Sequence, residues 1–336
     1  MTQSRQYQSI GVIGGGAFGT ALGCAAVRAG RRVSLWARDR DIVAAINQDH
    51  ENPHYLPGIA LPDRLQATGD IMVAAACDAL ILAVPAQFLR QVVAQLPAQR
   101  SAVTPLIICA KGIENSTLNL MNDVVAQILP DAPLAALSGP SFAAEVARGL
   151  PTAVTLAADD AQIGAALVRA LGTAEFRPYL SDDMIGVEVC GAMKNVIAIA
   201  CGIAEGRGYG DSARAALMTR GLAEITRLAI AMGGQPQTML GLAGVGDLAL
   251  TCNSRQSRNF TLGYQLGQGD RLDDIFAGSR SVFEGAHTVH AAAQLAAREQ
   301  VEMPICAAVS AILEGQEGVA DAIAELLSRP FVREEE

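Results

Sequence analysis

One stretch near the amino terminus constrains this chain more than any other: Ser9-Ile10-Gly11-Val12-Ile13-Gly14-Gly15-Gly16-Ala17-Phe18-Gly19-Thr20. The β-branched start reads as a buried strand, the glycines as a turn, and residues 21–27 as a helix. Gly14, Gly16 and Gly19 satisfy G-x-G-x-x-G. In a dinucleotide-binding fold the first glycine makes a tight turn. The second lets a pyrophosphate reach the backbone, and the third lets the helix pack on the strand. The helix N-terminus then offers free N–H groups and a positive dipole end to phosphates. Glycine-rich turns also serve as plain strand-to-helix connections, so context has to decide. Here a second strand, Arg32–Trp36, follows Gly30, completing the order strand, glycine turn, helix, strand.

An acid at the end of that second strand would hold the ribose 2′-hydroxyl of NAD. The chain instead reads Trp36-Ala37-Arg38-Asp39-Arg40. An arginine at this point suits a 2′-phosphate, which favours NADPH and leaves NADH open. The competing reading is a solvated Arg38 paired with Asp39 or Asp41.

At 336 residues the chain is long enough for two domains, each with its own core. Its net charge of -9 argues against nonspecific nucleic-acid binding, so an anionic substrate needs a local basic pocket. The cysteines are Cys24, Cys77, Cys109, Cys190, Cys201, Cys252 and Cys306, an odd number with no C-x-x-C. They read as reduced core thiols of a cytoplasmic protein. His287 and His290 could share a helix face, but two ligands make no zinc site, and no metal is expected. The N-terminal residues are polar, with no signal-like apolar core, and unbroken apolar runs are far shorter than a membrane span.

Along the chain, residues 41–49 read as a short helix and 52–58 as a loop rich in breakers. Strands are expected at 78–85, 106–109, 132–137, 153–157 and 176–179. Helices are expected at 87–96, 118–129, 143–148 and 161–171. This alternation makes a doubly wound α/β sheet, mostly parallel. From Asp183 strand signals vanish, and helical spacing runs on with breaks at 202–210, 233–236, 253–258 and 277–281. The expected division is a Rossmann domain at 1–181 and an all-helical domain at 182–336.

Three segments carry the chemistry. In Val189-Cys190-Gly191-Ala192-Met193-Lys194-Asn195-Val196, one lysine and one asparagine interrupt an otherwise small and apolar helix. Lys194 could snorkel to solvent with Asn195 bonding a carbonyl. The small neighbours instead look like space cleared for a ligand. A buried lysine near other positive charge, with Lys111 and Arg258 the candidates, has a lowered pKa and can act as a general base. Asn195 could hold an oxygen of substrate or cofactor. The second segment is Gly244-Val245-Gly246-Asp247-Leu248, with Thr251 following. It leads to Ser257-Arg258-Asn259, a donor cluster in which the arginine suits a phosphate dianion. A solvated polar loop is the alternative. The third is Ser281-Val282-Phe283-Glu284-Gly285, where Glu284 is either a helix-start carboxylate or a cofactor contact.

Taken in order, six motifs closely resemble bacterial NAD(P)-dependent glycerol-3-phosphate dehydrogenases over nearly the whole chain. They are Gly14-x-Gly16-x-x-Gly19, Lys111-Gly112, Ser138-Gly139-Pro140-Ser141-Phe142-Ala143, Gly191-Ala192-x-Lys194-Asn195-Val196, Gly246-Asp247-Leu248 and Ser257-Arg258-Asn259. The resemblance implies a Rossmann domain followed by a helical domain like that of 6-phosphogluconate dehydrogenase. It implies reversible oxidation of sn-glycerol 3-phosphate to dihydroxyacetone phosphate, feeding phospholipid synthesis in the reductive direction, and a homodimer. Lys194 matches the catalytic lysine. Lys111, Gly139, Ser141, Asp247, Ser257, Arg258 and Asn259 match substrate-pocket positions. Ala17, Phe18, Arg38, Lys111, Ala143, Arg258, Val282 and Glu284 match cofactor contacts. Ala17 and Phe18 depart from the Ser-Tyr or Ser-Trp common there, which removes a hydroxyl that could bond a phosphate. Two other readings stay open. One is a sibling dehydrogenase for another hydroxy acid or a sugar nucleotide. The other is a non-catalytic NADPH-binding redox sensor that would tolerate loss of Lys194.

Overall fold

The computed structural model describes residues 6–98, 102–278 and 283–330. Among these, eight strands form one sheet: β1 (Ser9–Ile13), β2 (Arg32–Trp36), β3 (Leu65–Thr68), β4 (Ala79–Leu82), β5 (Leu106–Ile108), β6 (Leu134–Ser138), β7 (Thr152–Ala158) and β8 (Phe176–Ser181). Their order is β3-β2-β1-β4-β5-β6-β7-β8, and every pair is parallel except β6 with β7. The order reverses between β1 and β4, and Gly14 follows β1 at that point. In open parallel sheets a ligand crevice lies there, outside the carboxyl ends of the strands.

The apolar alternation explains the layers. Ile10 and Val12 of β1 and Ile81 of β4 join the core on one face of the sheet. Ile13, Leu80 and Leu82 join a separate core on the other. Both faces are buried, as a parallel sheet requires. The connections are α1 (Ala17–Arg28), α2 (Arg40–Gln48), α3 (Ile71–Ala75), α4 (Leu89–Val93), α5 (Met121–Ile128), α6 (Ala143–Arg148) and α7 (Ala161–Leu171). Two of these elements go beyond what the sequence leads one to expect. β3 has one fully buried apolar residue, Leu65, and lies at the sheet edge. α3 is a single Asp70-capped turn of five residues. The helix expected over 87–96 is a 3₁₀ turn at Ala86–Phe88 followed by the short α4.

Beyond β8 the described residues are helical: α8 (Met184–Gly206), α9 (Gly210–Ala231), α10 (Pro236–Met239), α11 (Asp247–Cys252), α12 (Arg258–Gln268), α13 (Leu272–Ala277), α14 (Glu284–Arg298), α15 (Pro304–Leu313) and α16 (Val319–Ser328). α8 starts three residues after β8. Asp183 caps it, accepting from Gly186 N at 2.8 Å through Oδ1, while Oδ2 accepts from Gln235 N at 2.9 Å. By length and mean hydropathy α8 could cross a bilayer, although Glu188, Lys194 and Asn195 break its apolar run. It is instead the buried axis of the helical layer, with 94% of its most apolar window inside the protein. It also runs through Gly202 to Gly206, so the break expected at 202–210 is shorter.

α8 and α12 meet backbone to backbone. A Cβ on Gly202 would overlap Phe260 O, and one on Gly263 would overlap Ile199 O. One turn further on, Gly206 faces Tyr264 O and Gly267 faces Ile203 O in the same way. Glycine spacing of i, i+4 on each helix therefore clears a seam that no larger residue could occupy without displacing backbone.

Candidate active site

At the end of β1 the three motif glycines do three different things. Gly14 has φ +128°, and a Cβ there would lie 2.5 Å from Ala83 O. Gly19 is packed so closely that a Cβ would overlap Gly14 O. Gly16, the residue before α1, has nothing within 4 Å of where a Cβ would stand, so the space above it is open. No acidic residue lies in the first turn of α1. An open cradle at the N-terminus of a 12-residue helix is a fit for a pyrophosphate. Ala17 and Phe18 open that helix, half-buried.

Arg38 is exposed just past β2 and forms no ion pair with Asp39 or Asp41. Asp39 instead caps α2 by accepting from Asp41 N. Asn52, from the loop read only as a run of breakers, is fully buried. It donates from Nδ2 to Gly15 O at 3.0 Å and to Thr20 Oγ1 at 2.8 Å, fixing the glycine turn from behind.

The end of β5 delivers Lys111, and α8 delivers Lys194 about 15 Å along its axis from Met184, at 1.5 Å per residue. Both reach one carboxylate. Lys194 Nζ lies 2.5 Å from Asp247 Oδ1, and Lys111 Nζ lies 2.7 Å from Asp247 Oδ2. Lys194 also donates to Thr251 Oγ1 at 3.0 Å, and Thr251 Oγ1 donates to Asp247 O at 2.6 Å. Ser138 Oγ stands 3.4 Å from Asp247 Oδ2. Asp247 occupies the first position of α11, where the helix dipole favours a carboxylate. It is brought there by a π-turn at Leu242–Gly246, inside which Gly244 leaves helical geometry. Gly191, one turn before Lys194, clears the room: a Cβ there would lie 3.2 Å from Ser138 Oγ and 3.4 Å from Lys111 Cγ. The Lys111 ammonium also lies 5.9 Å from the centre of the Phe18 ring, which links this cluster to the start of α1.

Burial sets the electrostatics. It pushes the Lys194 pKa down to about 8; the Asp247 charge opposes this, and the Lys111 charge adds to it. Burial alone would raise Asp247, but the two ammonium groups outweigh it and hold the carboxyl below its usual range. Two cations on one buried anion leave a net positive charge, so the site favours losing a proton or gaining an anion. Of the two cations expected to act on Lys194, Lys111 is the one that does. Arg258 acts on Glu284 instead.

Glu284 opens α14. Burial raises its pKa to about 7, against the pull of Arg258 and of a hydrogen bond from the Ala86 backbone just past β4. Gly112 lies against the same place, since a Cβ there would be 2.7 Å from Ala86 Cβ and 3.8 Å from Glu284 Oε2. Glu284 thus joins the helical layer to the loops after β4 and β5. Asn259 is buried, and its Oδ1 accepts from Gly285 N at 3.0 Å. A Cβ on Gly285 would meet Asn195 O at 2.8 Å, which places Asn195 on the same wall. Asn195 is buried and makes no side-chain hydrogen bond to a described residue.

The three polar residues at 257–259 sit together at the start of α12, and the hydrogen bonds made there use acceptor atoms. Ser257 Oγ accepts from Phe260 N as the cap of α12 and Asn259 Oδ1 accepts from Gly285 N, so the Ser257 O–H and the Asn259 Nδ2 donate to no described residue and stand beside the exposed Arg258. Ser141 Oγ similarly turns inward, donating to Gly139 O at 2.9 Å, and no contact among the described residues brings it to Lys194. Gly139 has φ +143° and packs on Val154. Ala143 opens α6. Val282 lies outside the described residues. Asn52, Ser138 and the backbone of Ala86 were missed as site residues. Asn52 had a usable signal, an amide in a turn beside a glycine motif, and Ser138 had one as the head of the Ser-Gly-Pro-Ser-Phe motif.

A doubly wound sheet with an open glycine cradle at its switch point, and a buried lysine–carboxylate pair across the mouth, is the arrangement of a nicotinamide-dependent dehydrogenase. Residues 9–164 match the family described as "NAD-dependent glycerol-3-phosphate dehydrogenase N-terminus", and residues 183–324 match its C-terminus. The glycerol-3-phosphate dehydrogenase [NAD(P)+] of Parvibaculum lavamentivorans is 54% identical over 97% of this chain and 98% of its own. That of Rhodospirillum rubrum is 55% identical over 96% and 93%. The crystal structure of glycerol-3-phosphate dehydrogenase from Coxiella burnetii superposes with a TM-score of 0.89 at 37% identity, covering 96% of this chain and 99% of that one. The chain belongs to the NAD-dependent glycerol-3-phosphate dehydrogenase family, and NAD(P)H is its cofactor.

Proposed function

We propose that this chain interconverts dihydroxyacetone phosphate and sn-glycerol 3-phosphate, and that it supplies the latter to phospholipid synthesis. The observation that carries this is the buried Lys194, its pKa near 8, sharing Asp247 with Lys111. When bound, the nicotinamide supplies or accepts the hydride. Lys194 as ammonium gives a proton to the C2 oxygen as the ketone is reduced, and as amine removes it from the hydroxyl in reverse. Asp247 orients Lys194, and Lys111 keeps the pair electropositive. Asn195 offers its amide to a substrate oxygen. Arg258 grips the phosphate, with Asn259, Ser257, Gly139 and Ser141 shaping the pocket around it.

Gly14, Gly16, Ala17, Phe18, Gly19 and Ala143 form the cofactor cradle, Glu284 closes it, and Arg38 carries the preference for NADPH. The division of labour is a cofactor domain at 1–181 and a catalytic domain at 182–336. A homodimer and a cytoplasmic setting complete the proposal. The latter is supported by seven buried cysteines, all free.

Oxidation rates of NADPH and NADH with dihydroxyacetone phosphate test the reading, with ketopantoate as the rival substrate. Turnover of ketopantoate alone would overturn it.

A further inference from the structure

The loop 253–257 joins the helix that begins at Asp247 to the helix that begins at Arg258. That loop leads directly into Arg258 and Asn259. It is held from outside by side chains of two other helices. Arg214 of α9 donates from Nε to Asn253 Oδ1 at 2.9 Å and from Nη1 to Glu205 Oε2 at 2.8 Å. Its Nη2 meets Asp211 Oδ1 at 2.6 Å. Asn253 in turn donates from Nδ2 to Ala249 O at 2.9 Å, tying in the last turn of α11. Glu205, at the end of α8, offers its other oxygen to Arg255 Nη2 at 3.1 Å. The Arg255 guanidinium lies 4.0 Å from the centre of the Tyr264 ring on α12, and Thr261 Oγ1 donates to Arg255 O at 3.0 Å.

Four helices therefore converge on five residues of loop. A lone surface ion pair contributes little. Arg214 differs, because its side chain is only 20% exposed and its planar fork makes three directed bonds, which a lysine could not reproduce.

We propose that Arg214, with Glu205 and Arg255, is a positioning brace that sets the affinity of the site for the anionic end of its substrate. None of the three touches the Lys194 cluster, so the brace governs binding rather than proton transfer. The inference rests on the reading of Arg258 as the phosphate grip.

Steady-state reduction of dihydroxyacetone phosphate by NADPH tests it in wild type, Arg214→Ala, Arg214→Lys, Asn253→Ala and the Arg214→Ala/Asn253→Ala double variant. Arg214→Ala should raise the KM for dihydroxyacetone phosphate on the order of tenfold, with kcat and the KM for NADPH within about twofold. Arg214→Lys should recover only part of the loss, and the double variant should be no worse than Arg214→Ala. If Arg214→Ala does not fold, Asn253→Ala carries the same test through the other partner of the contact. An unmoved KM, or equal losses in kcat and in both KM values, overturns the brace while leaving the reaction intact. Absence of wild-type turnover overturns the reading of the reaction, and the brace with it.

Discussion

Lys194 Nζ stands 2.5 Å from Asp247 Oδ1, yet the lysine keeps its proton less firmly than a free lysine does. Burial and the second ammonium at Asp247 Oδ2 outweigh the ion pair. A pKa of about 8 assigns the two directions of the reaction to opposite sides of that pH. In the proposed role of Lys194, reduction of dihydroxyacetone phosphate needs the ammonium, so its rate should fall as pH rises through about 8. Oxidation of glycerol 3-phosphate needs the amine and should rise over the same range. Rate–pH profiles in both directions check this; two profiles of the same sign would remove Lys194 as the proton carrier.

Lys194→Ala should lower turnover by about 10²–10⁴-fold, the usual worth of a positioned general acid–base. NADPH binding, followed by fluorescence titration, should survive, because no described contact links Lys194 to the glycine cradle. The redox-sensor reading predicts the opposite pattern, with no dependence of function on this amine.

The cradle makes a sharper contrast within one motif. Gly16→Ala meets open space and has ordinary φ, so the melting temperature of the free protein should hold while the Kd for NADPH rises. Gly19→Ala puts a methyl group into Gly14 O, so it should destabilise the protein with or without cofactor. Equal effects of the two on free-protein stability would contradict the separate roles.

Arg258→Ala should raise the KM for dihydroxyacetone phosphate strongly and that for NADPH less. It also removes the cation that restrains Glu284, whose pKa should then move further above about 7. Carbon-13 NMR of labelled glutamate would follow that titration.

Glu188 on α8 is buried, and its pKa is raised to about 8. Desolvation is the main cause, with Asp123 and Asp159 adding to it against hydrogen bonds from Asn122 N at 3.0 and 3.3 Å. The unfolded chain releases this proton near the ordinary 4.5, so between that pH and about 8 the native state binds more protons. Stability therefore falls as pH rises across that window. Glu188→Gln should flatten the fall, raising the melting temperature at pH 8 and leaving it nearly unchanged at pH 4.5. A melting curve unaffected at pH 8 would count against this burial.

Most of the fold was legible because buried parallel strands and core helices carry dense, periodic apolar signals. α6 and α7 match their expected bounds of 143–148 and 161–171. β3 and α3 were not, since four or five residues with one or two buried positions hold too little pattern. In the site, Lys194 stood out as a charge in an apolar helix, and its partner Asp247 as an acid after paired glycines. What spacing could not convey is direction: that Lys111 and Lys194 converge on opposite oxygens of one carboxylate, or that Ser141 and Ser257 turn their hydroxyls toward their own backbone. Gly202 and Gly206 read as part of a helix break, and their match with Gly263 and Gly267 shows only in the contact of two helices.

Those four glycines have a further consequence. α8 bears Lys194 and α12 begins with Arg258, and with the two backbones pressed together neither helix can slide without breaking the seam. The molecule thus behaves like a pair of calipers locked at one opening. With the proposed roles of Lys194 and Arg258, an alcohol one carbon nearer to or farther from its phosphate would be gripped at one end and out of step at the other.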